Sequence, residues 1–269
     1  AINRLGLSRK IPLTVFVYCI FLPHAPYHNI KPEKWQLLFS LFSYNIVLYD
    51  YTYTSIYLGR IFYMDSIIFD VDGTLWDSTE IVAEAWSDYL INVEHMDTDV
   101  SSRRLMGLFG QLLPDIAKAL FPELPQAEQL RIIENCCEAE HQALLKKCAP
   151  LYPKLEDTLK LLSEKFPLFI VSNCQAGYIE VFLEATGFGH YFKGHLCPGD
   201  TGMAKAENIM KIRDDFGLKS PVYVGDTLGD FNACRKAQVP FIFAEYGFGE
   251  VPEPDQRITC PSDLLSICR

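Results

Sequence analysis

The chain has 269 residues, of which 49% are apolar and 22% are charged, a composition typical of a globular protein. Its net charge of −10 argues against nucleic-acid binding, because a basic face supplies most of the affinity for nucleic acids. The nine cysteines include no C-x-x-C pair, so we expect neither a zinc site nor a disulfide framework. Scattered single cysteines are typical of a reducing compartment, and we therefore expect a cytoplasmic protein.

The first 63 residues differ in composition from the rest of the chain. They carry a net charge of +4, against −14 for the remainder, and hold eight of the 14 tyrosines. Their apolar stretch at 11–22 is too short to span a membrane and has the length of a signal-peptide core, which leaves a signal or anchor as an alternative. The first methionine is Met64. We expect the native protein to start there, with residues 1–63 an extension that is foreign to it or poorly ordered, and no membrane association for residues 64–269.

The stretch S-I-I-F-D-V-D-G-T-L at 66–75 combines an apolar run with two aspartates. The run predicts a short buried parallel strand that ends at Asp70. A carboxylate at such a place is costly unless it has a cation or a chemical task. If strand geometry continues, Asp70 and Asp72 point the same way, bind a hard divalent cation and present one free oxygen to an electrophile. Gly73 and Thr74 then turn the chain away, and an ordinary Asp-rich turn is the alternative interpretation.

Residues 79–147 form a predicted helical insert. Apolar residues recur there at spacings of three and four, in sets that run from Ile81 to Leu90, from Ile116 to Leu120 and from Leu130 to Leu144. A loop marked by Gly107 and Gly110 interrupts the helical pattern.

Two arginines, Arg103 and Arg104, lie just before this loop. A guanidinium group grips a carboxylate with two hydrogen bonds, so either residue is a candidate for binding the non-phosphate end of an acidic substrate. A solvated helix face is the alternative.

After the insert, strands and helices alternate. This order implies a parallel sheet with right-handed crossovers, in which ligands bind at the carboxyl ends of the strands. We therefore expect an α/β fold with a Rossmann-like parallel-sheet core made of residues 64–78 and 148–269. Asp70, Ser172 and Asp226 each follow a predicted strand and should lie at one edge of the sheet. The sequence predicts helices at 155–166, 178–185, 204–216 and 231–237, and strands at 168–171, 221–224 and 240–243.

Four motifs in this order resemble the haloacid dehalogenase (HAD) superfamily, and within it the phosphoglycolate phosphatase-like group. They are D-V-D-G-T-L at 70–75, Ser172 at a strand end, Lys205 at a helix start, and G-D-T at 225–227 with Asp230 after it. The resemblance covers residues 64–269. It implies that the insert at 79–147 is a small helical cap domain, placed after the first strand, that closes over the active site.

The resemblance also implies different catalytic and metal-binding roles for the acidic residues. Asp70 would be the nucleophile that forms an aspartyl-phosphate, and Asp72 would be the general acid and base. A magnesium ion would be held by Asp70, the backbone carbonyl of Asp72, and Asp226.

Phosphate binding is implied for a second set of residues. The Ser172 hydroxyl and the Asn173 backbone N–H would hold phosphate oxygens, and Lys205 would contact both the phosphate and Asp70. Thr74 and Asp230 would support the site, Asp230 by orienting Lys205 or holding a metal-bound water. A first-turn helix charge is the alternative for Asp230.

The expected function is magnesium-dependent hydrolysis of a small, phosphoglycolate-like phosphomonoester, so the expected partner is a small phosphorylated metabolite. A sugar-phosphate mutase similar to β-phosphoglucomutase, a pyrophosphatase or nucleotidase, and a catalytically idle phosphate-binding protein stay open as alternatives. A true dehalogenase is disfavoured, because it needs neither Asp72 nor a metal site. The sequence leaves open the identity of the substrate and whether the protein is a monomer or a dimer.

Overall fold

A six-stranded, all-parallel sheet forms the centre of the described part of the chain. The computed structural model describes residues 64–268, so the expectation for residues 1–63 lies outside the described part of the chain. The strand order is β3-β2-β1-β4-β5-β6. The predicted α/β class with a Rossmann-like parallel sheet is therefore confirmed. The strands are β1 (Ser66–Phe69), β2 (Leu168–Val171), β3 (Phe192–Leu196), β4 (Pro221–Gly225), β5 (Phe241–Ala244) and β6 (Gln256–Ile258).

In the described part of the chain, helices lie between most of these strands and after the last of them. Within residues 64–268, no helix is both long and apolar enough to cross a membrane. A π-helical turn (Leu90–Glu94) and two 3₁₀ turns (Phe188–Tyr191 and Pro261–Asp263) complete the elements of the described region. The α-helices are α1 (Thr79–Tyr89), α2 (Ser102–Met106), α3 (Leu113–Leu120), α4 (Gln126–Lys146), α5 (Leu155–Ser163), α6 (Tyr178–Thr186), α7 (Pro198–Thr201), α8 (Lys205–Asp215), α9 (Leu228–Ala237) and α10 (Leu264–Ile267).

Strand β1 occupies the middle of the sheet. Ile67 lies opposite Leu168 of β2 on one side and Val222 of β4 on the other, and all four β1 residues are buried. A strand covered on both faces needs an unbroken apolar run, which explains why S-I-I-F does not alternate with polar residues. The chain segments that leave β1, β2 and β4 consequently emerge together at one edge of the sheet.

Helices α1 to α4 lie in the sequence between β1 and β2. Helix α1 packs on α4, and α4 also packs on α6, which follows β2. The apolar stripe of α1 includes Val82 and Trp86, both buried. The buried face of α4 carries Ile133, Cys137 and Leu144 at the spacing that the sequence analysis used, but it also carries Glu140. A carboxyl group thus lies on the face that joins the insert to the sheet.

The sequence prediction missed two strands and placed several element boundaries differently; the helix predicted at 155–166, for example, ends at Ser163. Strand β3 was missed because F-K-G-H-L is a partly exposed edge segment without an apolar run, and β6 is a three-residue strand at the opposite edge. Helix α9 begins at Leu228 rather than at 231. It begins earlier because Thr227 and Asp230 cap each other: the Asp230 N–H donates to Thr227 Oγ1, and the Thr227 N–H donates to Asp230 Oδ2.

Candidate active site

Asp70 is the first residue after β1. Its backbone N–H donates to the carbonyl of Val224 at 2.9 Å, which continues the pairing of β1 with β4 by one residue and fixes where the side chain starts. The residue is only 2% exposed, and Oδ1 accepts a hydrogen bond from Lys205 Nζ at 2.8 Å. A buried carboxylate with a single cationic partner is thereby held at the carboxyl end of the central strand.

Lys205 is the first residue of α8 and is 3% exposed. Its Nζ bridges Asp70 Oδ1 and Asp230 Oδ1, the latter at 2.5 Å, and lies 5.8 Å from the centre of the Tyr223 ring. Burial disfavours the ammonium charge, but the carboxylates of Asp230 and Asp70 outweigh burial and raise the pKa of Lys205. The lysine is therefore a permanent cation shared by two carboxylates.

Asp226 follows β4 and completes a cluster of three acids. Its Oδ2 accepts from the Phe248 backbone N–H at 2.7 Å, and its Oδ1 lies 3.5 Å from Thr74 Oγ1. Carboxylate oxygens of Asp70, Asp226 and Asp230 lie within 4.8 Å of one another. Burial and the charges of Asp230 and Asp70 raise the pKa of Asp226 well above its usual range. One lysine thus faces three carboxyl groups, and negative charge is in excess.

This excess fits a hard divalent cation. Magnesium and calcium prefer oxygen ligands, and the cluster offers carboxylate oxygens only. Close packing holds Asp226 in place: a Cβ at Gly73 would lie 2.0 Å from Asp226 Oδ2, and one at Gly247 would lie 2.3 Å from the Asp226 Cβ. Glycine is therefore required at both positions. The donor set and its uncompensated charge are what a metal site needs.

The carboxylate of Asp72 does not join this cluster. Its Oδ1 accepts from Trp76 Nε1 at 2.9 Å, Ser78 Oγ at 2.6 Å and Tyr178 OH at 2.7 Å. The condition that strand geometry continues is not met, because β1 ends at Phe69 and the chain turns at Gly73 with a φ of 79°. Burial raises the pKa of Asp72, although its three hydrogen bonds oppose that rise.

Ser172 and Asn173 follow β2, next to the end of β1. Ser172 is buried, and its N–H donates to the Leu196 carbonyl at 3.4 Å. Asn173 Nδ2 donates to the Gly110 carbonyl at 2.8 Å, so the glycine loop of the insert is tied to the sheet edge. Gly110 has a φ of 84°, and a Cβ there would lie 3.1 Å from Thr227 Cγ2. A glycine is what allows this close approach.

A cavity of about 40 Å³ lies between this edge and the insert. Asp72, Asn173 and Tyr178 line it from the sheet side, and Trp86 and Glu140 line it from the insert side. On the scale where 10–15 Å³ holds one water, the cavity has room for roughly three waters. The insert therefore leaves space for a small group beside Asp72.

Sequence reasoning missed three contributors to the site. Tyr178 and the Phe248 backbone N–H gave no signal, because a helix-starting tyrosine and a main-chain donor have no motif of their own. Glu140 did give one: it falls three residues after Cys137 and four before Leu144, on the predicted buried stripe of α4. A charged residue at a core-spaced position is a reason to look for a partner or a task.

Arg103 and Arg104 are both exposed on α2, and neither lines the cavity. Arg104 Nη2 instead donates to the Ala119 carbonyl at 3.3 Å. We expect the double variant R103A/R104A to keep kcat/KM for the best substrate within about twofold, as is usual for surface substitutions. Steady-state kinetics of the variant and the wild type would measure this. A fall in kcat/KM of about tenfold or more would instead indicate that the arginines bind the substrate.

The sequence model of the haloacid dehalogenase-like hydrolase family matches residues 67–244. The chain belongs to this family. Curated HAD relatives include the phosphoglycolate phosphatase of Escherichia coli K12, 24% identical over 227 residues that cover 74% of this chain and 90% of the relative. Another is the phosphoglycolate phosphatase of Agrobacterium fabrum, 28% identical over 207 residues that cover 70% of this chain and 85% of the relative.

Solved HAD structures agree with the fold. A haloacid dehalogenase-like family hydrolase from Streptococcus pneumoniae superposes with a TM-score of 0.66 at 22% identity, covering 77% of this chain and 99% of the other. A predicted phosphoglycolate phosphatase from Haemophilus somnus gives 0.66 at 22% identity, covering 77% and 98%. The predicted HAD membership, with similarity to the phosphoglycolate phosphatase group, is confirmed. Family and curated relatives together make the chain an enzyme, a HAD-family phosphatase.

Proposed function

We propose that this phosphatase hydrolyses a small phosphomonoester, of about the size of phosphoglycolate, through an aspartyl-phosphate on Asp70. The observation that carries the proposal is the buried Asp70–Lys205 pair at the end of β1, close to the carboxyl groups of Asp226 and Asp230. A small cavity lined by Asp72 and Asn173 lies at the same edge of the sheet. Lys205 holds Oδ1 of Asp70, so Oδ2 is the oxygen that attacks phosphorus. The bond between phosphorus and the ester oxygen breaks as the new bond forms.

Asp72 is the proposed general acid and base. It lines the cavity, and burial raises its pKa, so it keeps a proton to a higher pH than an exposed aspartate does. It gives this proton to the ester oxygen of the leaving alcohol. In the second half of the reaction Asp72 takes a proton from water, the oxygen of that water attacks phosphorus, and the bond to Asp70 breaks. Inorganic phosphate leaves and both aspartates regain their starting forms.

The proposed phosphate site combines Ser172, Asn173 and Lys205. The Ser172 hydroxyl and the Asn173 backbone N–H donate to phosphate oxygens, and the Lys205 cation offsets their charge. We assign Asp230 the role of positioning Lys205 through its Oδ1, while its Oδ2 accepts hydrogen bonds from Thr227 at the start of α9. Thr74 steadies Asp226.

The proposed metal ligands are Asp70, Asp226 and the backbone carbonyl of Asp72. A bound magnesium ion would supply the positive charge that the three carboxyl groups and the phosphate dianion lack. The proposal extends to domains: residues 79–147 act as the cap, and residues 64–78 and 148–269 act as the core. It also keeps the expected cytoplasmic location, which the eight free cysteines of the described region support.

The cavity favours a small leaving group over the mutase alternative. Room for roughly three waters suits a chain of two or three heavy atoms beyond the ester oxygen, and a hexose is several times larger. Mutase activity would instead appear as isomerisation that depends on a bisphosphorylated sugar.

The test is release of inorganic phosphate from p-nitrophenyl phosphate and from a panel of small phosphomonoesters. We expect activity to need Mg²⁺ and to fall when Ca²⁺ replaces it, because calcium takes more ligands at longer distances and disturbs the in-line attack by Asp70. Full activity in excess EDTA would refute the metal site. Phosphate binding without release from any ester would favour an idle binding protein.

A further inference from the structure

The lining of the cavity includes an unpaired hydrogen-bond acceptor. Asn173 Oδ1 is buried and has no hydrogen-bond partner among the described residues. The positions of Oδ1 and Nδ2 cannot be exchanged, because Nδ2 donates to the Gly110 carbonyl, which can only accept a hydrogen bond. Since buried polar groups are nearly always paired, this acceptor calls for a hydrogen-bond donor on the molecule that fills the cavity.

The charges around the cavity have one sign. Among its described lining residues, Asp72 and Glu140 are acidic, and none is a lysine, arginine or histidine. His141 lies beside the cavity, with Nε2 3.0 Å from Gln175 Nε2, but burial lowers its pKa and keeps it neutral near pH 7. Lys205 is already shared by Asp70 and Asp230. A carboxylate on the leaving group would therefore find no cation here.

The pKa of Glu140 indicates that the cavity disfavours a negative charge. Glu140 is 3% exposed, and its Oε1 accepts from Gln175 Nε2. Burial raises the pKa of Glu140 to about 8, against the opposing hydrogen bond from Gln175 and with the help of the Asp72 charge. The nearby Trp86 N–H also opposes the rise. A substrate carboxylate placed beside Glu140 would meet the same burial and the same neighbouring acids.

We propose that the cavity selects the leaving group by charge and takes the ammonium end of a short amino-alcohol phosphomonoester. A cation beside Glu140 favours its ionised form, so the Glu140 carboxylate and Asn173 Oδ1 accept hydrogen bonds from the ammonium, which has three donors and no acceptor. This inference rests on the proposed phosphatase function and narrows its substrate class. We expect kcat/KM to be highest for esters whose leaving group bears an ammonium, lower for those with a hydroxyl, and lowest for those with a carboxylate, such as phosphoglycolate.

The experiment compares three phosphomonoesters of nearly equal size: phosphoethanolamine, 2-hydroxyethyl phosphate and 2-phosphoglycolate. The full chain is assayed with Mg²⁺ for phosphate release. We expect kcat/KM to be about 100-fold higher for phosphoethanolamine than for phosphoglycolate, with 2-hydroxyethyl phosphate between them, because each charged hydrogen bond contributes about a factor of ten or more. Phosphoglycolate turned over as well as phosphoethanolamine, or 2-hydroxyethyl phosphate turned over best, would overturn the inference.

Glu140→Gln tests the residue itself. This variant keeps the shape and removes the carboxyl group, so the preference for phosphoethanolamine over 2-hydroxyethyl phosphate should fall about tenfold, mainly through KM. Glu138→Gln is the matched control, because Glu138 is exposed on the same helix, and it should leave the preference unchanged. If Glu140→Gln lowered kcat/KM equally for all three esters, Glu140 would be structural and the inference wrong.

The two proposals fail in different ways. Turnover of p-nitrophenyl phosphate or other panel esters, without turnover of any of these three, would overturn the charge selection and leave the phosphatase intact. No turnover of any ester would overturn both.

Discussion

Asp70→Asn should abolish turnover while leaving the protein folded. The amide is a poor nucleophile and cannot form the aspartyl-phosphate, so we expect kcat to fall on the order of 10³-fold or more. The variant should fold well, because it removes one of three clustered carboxyl groups whose burial raises the pKa of Asp70 and Asp226. Phosphate release measures the loss, and a thermal melt checks the fold.

The control for this variant is Asp214→Asn on α8, whose side chain is 70% exposed and pairs with its neighbour Arg213. It should keep wild-type kcat. Intact mass should accompany the kinetics, because deamidation of the introduced asparagine back to aspartate would restore activity. If a sample free of the reverted protein retained more than about one-tenth of wild-type kcat, Asp70 would not be the nucleophile.

The stability of Asp70→Asn also has a defined pH dependence in the absence of metal. A carboxyl group whose pKa is raised by folding holds its proton in the folded state at pH values where the unfolded chain has lost it. Its ionisation therefore destabilises the folded state progressively as pH rises above the unfolded pKa near 3.9. The Tm of the variant minus that of the wild type should thus increase from pH 4 to pH 8 in EDTA.

Much of the fold was predictable because apolar runs end abruptly at polar residues. Strands β1, β2 and β4 are short, fully buried and followed at once by Asp70, Ser172 and Asp226. A parallel sheet brings such strand ends to one edge, so the meeting of these residues near Lys205 could be expected without coordinates. Edge strand β3 could not, because its partly exposed residues carry no apolar run.

The rest of the site depends on local dihedral angles and on contacts distant in sequence. Asp72 turns to Tyr178 because the chain turns at Gly73, which the i, i+2 rule for strands does not describe. The hydrogen bond from Gln175 to Glu140 joins residues that are 35 positions apart, so sequence spacing alone does not reveal it. The charge of Arg103 and Arg104 and their nearness to the glycine loop made them candidates for substrate binding. Both are exposed on α2, and the sequence does not reveal which way this helix faces.

Lys205→Met should damage both stability and catalysis, because it removes a cation from between two buried carboxylates. The Asp70 and Asp230 oxygens now lie 2.8 Å and 2.5 Å from Nζ and would lose their shared partner. Breaking a buried ion pair by removing one side costs about 3–5 kcal/mol, which corresponds to a fall in Tm on the order of 10 °C for a domain of this size. The phosphate would lose a fixed charge as well, so kcat should fall by roughly 10²–10³-fold.

Three measurements separate this account from a simple packing defect. Lys236→Met is the control: that lysine is 62% exposed and pairs with Glu207 at the surface, so its loss should cost less than about 1 kcal/mol. The Tm deficit of Lys205→Met should shrink as pH falls towards 4, because protonation of the unpaired carboxyl groups removes the uncompensated charge. Mg²⁺ should raise the Tm of the variant more than that of the wild type, since it supplies the missing positive charge. If the Tm deficit of Lys205→Met changed with neither pH nor Mg²⁺, Lys205 would stabilise the fold through its packing, and not by neutralising Asp70 and Asp230.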